Sequence, residues 1–282
     1  MQHTVAKEII FEGVGLHSGA KSVLTIKPAP ENTGIVFSRT DIASAEPVKA
    51  SYDNVVDTRN CTCLGDSNKN IISTIEHLMA SLAVMEIDNA YIEVSAPEMP
   101  IMDGAAEIFF NRLQEVGTVA QSHSRNYLKV LKHVEFTDDK GNSIALDPAE
   151  EFSIHFTIEF PSKIVGHQEF SGKITKDIFK SEIAPCRTFC EKYQIDYLRS
   201  IGLIKGGSLD NAVVLDGEAI LNPGGFKVKN ECVNHKVLDA IGDMYTAGFP
   251  IKGKLTANKT GHYHNNQILR VLFADESNYE IK

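Results

Sequence analysis

No apolar run in this 282-residue chain approaches the ~18 residues that a membrane-spanning helix needs, so no stable membrane insertion is expected. The opening MQHTVAKEIIFEGVG lacks a basic stretch followed by a long apolar core, which argues against a secretory signal peptide. Positive charge is short: 28 Lys and Arg against 37 Asp and Glu leave a formal charge of −9. Nucleic acid and anionic membrane select basic surfaces, so neither is expected as the main partner. A phosphate-bearing ligand would have to be met by local Lys, Arg or backbone N–H groups. Five cysteines are an odd set rather than a disulfide framework; they fit a reducing compartment and predict a cytoplasmic protein. Low-complexity segments are missing, as is the G-x-S-x-G elbow of a serine hydrolase.

What is present is ordinary globular composition, 43% hydrophobic and 23% charged. The length suits two domains of about 120–150 residues better than one core. The first 50 residues read as short strands and turns, with VLTIKPA alternating, GIVF after a turn, and Pro28, Pro30 and Gly34 as punctuation. A helix follows. Ser73 and Glu76 stand in the S-x-x-E spacing of a capping box, and Ile75 to Val84 is apolar nearly all round, the pattern of a helix buried on both sides. A strand is expected at Ala90–Val94, and PEMPIMDGAAEIFFNRLQEVG reads as a loop entering a helix that ends near Gly117. The polar stretch Gln121–Arg125, near the midpoint, is the expected linker between domains at 1–122 and 126–282. Beyond it the order repeats: strands in YLKVL, IALD and FSIHFTIEF, an irregular segment, a strand at Ala212–Leu215, a helix carrying His235 and a strand at Lys252–Thr256. In both halves a histidine near the start of a helix precedes a strand, an order that suggests duplication.

Three short stretches carry candidate chemistry. Glu76-His77 lies inside STIEHLMASL, and His235-Lys236 inside NHKVLDAIGD, with Asp239 four residues after His235. That spacing is just over one helical turn and stacks His235 and Asp239 about 6 Å apart at Cβ. At ~100° per residue, Asp239, Asp243 and Lys236 fall within about 100° of His235, opposite Val237, Leu238, Ile241, Met244 and Tyr245. Such a wedge is either a solvated amphipathic face or one side of a site. A His and an Asp on one face, plus a second His from elsewhere, give a three-ligand zinc site with an open fourth position, as in catalytic zinc. His77 is either a hydrogen-bonded core histidine or such a ligand, because an unpaired polar group is costly to bury. Glu76 beside it is either the capping partner of Ser73 or the base for a metal-activated water. Gly261-His262-Tyr263-His264-Asn265-Asn266 reads as a loop, its two histidines following a glycine that lets the backbone approach something. A rival structural zinc site would use Cys61-x-Cys63 and Cys186-x3-Cys190, but C-x-C is tighter than the usual zinc spacing.

The motifs GVGLHSG, DTRNCTCLG, STIEHLMASLAVMEIDN, APEMPIMDGAA, PCRTF, GLIKGGSLDNAVV, NHKVLDAIGD and GHYHNN follow one another along essentially the whole chain. In that order the chain resembles the UDP-3-O-acyl-N-acetylglucosamine deacetylases, the zinc enzymes of lipid A biosynthesis in Gram-negative bacteria. The resemblance implies an α+β fold of two similar domains, each a β-sheet layered with helices. The helices would pack between the two sheets, with the active site at the domain interface. It implies one zinc per chain, with iron possible in the cell, held by His77, His235 and Asp239 with water in the fourth position. The implied reaction hydrolyses the acetamide of UDP-3-O-[(3R)-3-hydroxyacyl]-N-acetylglucosamine to UDP-3-O-acyl-glucosamine and acetate, the committed step of that pathway.

By the same resemblance Glu76 is the general base and Thr188 of PCRTF helps to stabilise the oxyanion. His262 is the acid, kept cationic by Asp243, and Lys236 lends positive charge. His262 directly follows Gly261 and so takes the family position; His264 does not. Phe189 is expected near the sugar and His17 of G-L-H-S-G near the active site. An insert near 193–215 is expected to form a hydrophobic acyl passage with Ile195, Leu198, Ile201 and Leu203. Cys61 and Cys63 read as packing or supporting residues. Cys190-Glu191-Lys192 departs from the family pattern after R-T-F. The expected partner is a UDP-linked acylated amino sugar, and the expected state a monomer.

Overall fold

The computed structural model describes residues 1–66 and 70–282. Two five-stranded sheets organise them. In the first, Ile9–Val14, Lys21–Pro28, Ala90–Val94, Ile35–Arg39 and Val48–Lys49 are neighbours in that order. In the second, the order is Val134–Thr137, Ser143–Asp147, Lys254–Asn258, Ser153–Glu159 and His167–Lys173. Counted along the chain within each sheet, both run 1-2-5-3-4, and in both only the 5–3 pair is parallel. The repeat suggested by element order is therefore a shared topology. Period-two burial gives each sheet an apolar face: Leu24 and Ile26 in one, Ile154, Phe156 and Ile158 in the other.

The α-helices among the described residues are α1 (Glu76–Val84), α2 (Glu107–Val116), α3 (Lys176–Ile178), α4 (Lys192–Ser200), α5 (Glu231–Met244) and α6 (His262–Phe273), of which α2, α5 and α6 pack on the two sheets. In each half one helix precedes the fifth strand (α1, α5) and another follows it (α2, α6). The helices α1 and α5 pack on each other, and α5 also lies on Ser153–Glu159 and His167–Lys173. One apolar core runs from sheet to sheet through these helices, taking in Leu24, Ile92, Leu78, Leu238 and Phe156. The α+β architecture with helices between two sheets is thus the one observed. No helix among the described residues is long and apolar enough to cross a membrane.

α1 and α5 approach closely at Gly242, where an added Cβ would lie 2.0 Å from the Glu76 carbonyl oxygen. Glycine costs about 1 kcal/mol relative to alanine inside a helix, so its presence here is set by that contact. Gly242→Ala is expected to destabilise the protein by about 1–3 kcal/mol, the usual cost of overpacking, despite the better helix former. A denaturant midpoint at or above wild type would refute this.

Several local expectations change. Ser73 and Glu76 form no capping box: Ser73 Oγ donates to the Pro97 carbonyl at 3.1 Å, and Glu76 accepts the Thr62 N–H at 3.0 Å. Ser73 is bridged to Glu98 in strand fashion, which turns its side chain away from the helix. The solvated reading of the His235 wedge also fails, since every residue of α5 is buried except the partly covered Lys236. Packing of α1 across the wedge explains this. The expected loop at 261–266 is the first turn of α6, whose Ile268, Leu269 and Leu272 are fully buried. The strand expected at Ala212–Leu215 is Val213–Asp216, and it pairs with Phe189–Glu191 and Ala219–Ile220 in a small separate sheet. The strand expected at Lys252–Thr256 is divided into Ile251–Lys252 and Lys254–Asn258.

Candidate active site

The contact between α1 and α5 brings three donors together. His77 Nε2 lies 3.6 Å and His235 Nε2 3.4 Å from Asp239 Oδ1, and the three donor atoms are mutually within 4.8 Å. All three residues are buried. His235 Nδ1 sits 3.0 Å from the Cys186 carbonyl oxygen; donating there leaves the Nε2 lone pair facing the cluster. Burial pushes the His235 pKa down to about 3, outweighing the pull of Asp239, so the imidazole is neutral. Burial works the other way on Asp239, but the positive charge beside it, with the Lys236 ammonium in direct contact, holds its carboxylate well below the usual range. Lys236 Nζ donates to Asp239 Oδ2 at 2.8 Å. Two imidazoles and one carboxylate, converging from two helices, fit a metal ion with an open coordination position.

Glu76, Asp239 and His262 form a second metal-capable group. It is the poorer donor set, because His262 is set up to carry a proton. Its Nδ1 lies 2.8 Å from Asp243 Oδ2, while Nε2 is 3.9 Å from both Glu76 and Asp239. Burial opposes the imidazolium, yet Asp243 and Glu76 outweigh it and lift the pKa to about 10. Asp243 accepts further hydrogen bonds from the Thr62 hydroxyl at 2.6 Å and Asn265 Nδ2 at 2.9 Å. Burial raises the pKa of Glu76 against the pull of His262 and His77, which suits a carboxylate that must take a proton near neutral pH. His264 turns elsewhere, with Nε2 3.0 Å from Asp138.

A cavity of about 460 Å³ adjoins the cluster. His17, Thr188, Phe189, Ile195, Leu198, Lys236 and His262 line it, so catalytic candidates and apolar wall are continuous. Ile201 and Leu203 are not part of that wall; Ile201 is 51% exposed, and Ile204, Leu209, Val214 and Leu221 line the cavity instead. The Phe189 ring meets Phe160 edge-on at 5.3 Å and His235 at 6.4 Å, with Lys236 Nζ 5.8 Å from its centroid. Thr188 and Phe189 follow Arg187, whose N–H and Nε both donate to Glu231 Oε1 at 3.0 and 2.8 Å. Glu231 is fully buried in the first turn of α5, so this pair ties the R-T-F segment to the helix that carries His235.

Thr62, Asn265 and Glu231 are supporting residues that sequence reasoning passed over. Thr62 and Asn265 stand inside quoted motifs, but only their contact with Asp243 reveals a role. The rival cysteine site does not form. Cys61 and Cys63 are buried free thiols with Sγ atoms 3.6 Å apart, and no metal-capable group among the described residues contains a cysteine.

Residues 2–274 match the family model described as UDP-3-O-acyl N-acetylglycosamine deacetylase. The chain is 44% identical over 282 residues to a UDP-3-O-acyl-N-acetylglucosamine deacetylase of Shewanella violacea, covering 99% of this chain and 92% of that one. It is 45% identical to the enzyme of that name from Shewanella halifaxensis, with the same coverage. Identity to the Phenylobacterium zucineum protein of that name is 41%, over 100% of this chain and 96% of that one.

Proposed function

This chain belongs to the UDP-3-O-acyl N-acetylglycosamine deacetylase family, and from that membership we propose that His77, His235 and Asp239 hold a single zinc ion at its active site. The protein is an amide-hydrolysing deacetylase of lipid A biosynthesis. It removes acetate from UDP-3-O-[(3R)-3-hydroxyacyl]-N-acetylglucosamine. The convergence of the three donors at the crossing of α1 and α5 carries the residue assignment. Imidazole also suits iron, which is the alternative occupant in the cell.

Zinc held there would supply Lewis acidity and make a water acidic enough to be deprotonated near neutral pH. Glu76 takes the proton of the attacking water, its basicity raised by burial. His262, held cationic by Asp243, returns a proton to the departing amine nitrogen. Thr188 and Lys236 face the same cavity and offset the charge that gathers on the carbonyl oxygen. Ile195 and Leu198 give the acyl chain an apolar wall. We assign the domains to 1–122 and 126–282, with an acyl-binding insert near 193–215; the two sheets of one topology support that division. Five free thiols support a protein working in the cytoplasm, a reducing compartment.

Purified protein should carry about one zinc per chain and release acetate from this substrate, as expected for a single catalytic site. Turnover undiminished after the metal has been stripped would refute the assignment. Asp243→Asn should keep the metal and lose about 10–100-fold in rate, the usual cost of removing a supporting partner. The amide still accepts from Thr62 but no longer stabilises the imidazolium. Steady-state rates normalised to bound zinc check this.

A further inference from the structure

Glu98 is only 1% exposed and has no part in the chemistry above. Its neighbours pair with the chain entering α1: the Ser73 N–H donates to the Pro97 carbonyl at 2.9 Å and the Met99 N–H to the Ser73 carbonyl at 3.0 Å. Its side chain reaches the other way. Oε1 accepts from the His17 N–H at 2.9 Å and the Thr74 hydroxyl at 3.0 Å, while Oε2 accepts from the Ser18 N–H at 2.7 Å. Every one of these partners is a donor. Glutamine would set an NH₂ against one of them, and aspartate is one methylene short.

The loop so held is sealed against the insert. The Lys205 N–H donates to the His17 carbonyl at 3.2 Å, and the Gly206 N–H to the Leu16 carbonyl at 3.0 Å. Nothing in this stack has room to spare. A Cβ on Gly15 would lie 2.3 Å from Glu98 Oε2, and one on Gly206 would lie 2.2 Å from the Gly15 carbonyl oxygen. The inner surface of the stack is cavity wall, formed by Leu16, His17 and Ile204. Both ring nitrogens of His17 are buried there without a hydrogen-bond partner among the described residues.

We propose that Glu98 is a positioning residue for the acyl cavity: it locks the Gly15–Ser18 loop between the entry to α1 and the insert, so that Leu16 and His17 form the wall against which the acyl chain binds. The proposal rests on the substrate reading above, and two readouts separate the two. The first is turnover by zinc-loaded wild type and Glu98→Gln on substrate carrying a 3-hydroxydecanoyl chain and on its 3-hydroxybutyryl counterpart. KM for the long chain rises about tenfold in the variant, KM for the short chain changes less than about twofold, and kcat and zinc content stay near wild type. Thr74→Val removes a single donor and shifts the long-chain KM in the same direction by less.

The second readout is binding of decanoate by calorimetry, which needs no turnover; Glu98→Gln weakens it about tenfold. An equal rise in KM for both chains, or unchanged KM and decanoate affinity, would overturn the role of Glu98. Wild-type enzyme that releases acetate from neither substrate would overturn the deacetylase reading, while decanoate still decides on Glu98.

Discussion

Glu76→Gln leaves a folded, metal-loaded protein whose turnover falls by about 10²–10⁴, the usual worth of a positioned acid or base. The replacement keeps shape and one acceptor, so the Thr62 N–H that meets the carboxylate at 3.0 Å can still be satisfied. What it removes is the ability to take a proton. Burial makes that loss large, because the desolvation that raises Glu76 is also what makes it an effective base. The measurement is kcat alongside metal content on the same preparation. Turnover within a few-fold of wild type would take the base role away from Glu76. Parallel loss of metal would make it a ligand instead.

His235→Ala should strip the site. The ring is 2% exposed, and its removal leaves the Cys186 carbonyl short of a donor and Asp239 without its neighbouring ligand. Two donors then remain, one on each helix, too few for the three-ligand set of a catalytic zinc. Metal content after dialysis should fall close to zero. The loss of rate should exceed the ~10–100-fold that attends removal of an outer partner. His264→Ala is the matched control, since that imidazole is turned to Asp138 and should leave metal and rate unchanged. The reverse outcome, with His235→Ala holding metal and His264→Ala losing it, would sink the ligand assignment.

The repeated order of strands and helices was readable because period-two and period-3.6 patterns are local. The 1-2-5-3-4 arrangement was not, because pairing of Lys254–Asn258 with Ser143–Asp147 is set by contacts more than a hundred residues apart. The i,i+4 pair of His235 and Asp239 could be read as a wedge, and the quoted motifs drew His77 to it. What no local pattern could supply was the burial of that wedge, which depends on α1 crossing it at Gly242. The capping-box reading of Ser73 and Glu76 failed for the same reason: a bridge to Glu98 outcompeted a local signal. The turn at Gly261 concealed α6 because His262, Tyr263, Asn265 and Asn266 are weak helix formers, and the helix is held by Ile268, Leu269 and Leu272 in the core.

One donor comes from α1 and two come from α5, so neither half holds the complete set. On the proposed assignment, capture of an ion is therefore coupled to the packing of α1 on α5. An ion present at ~1,000 times its dissociation constant would add about 4.1 kcal/mol to the folded state, and chelation would withdraw the same amount. Such an ion would double as a clasp between the two helices.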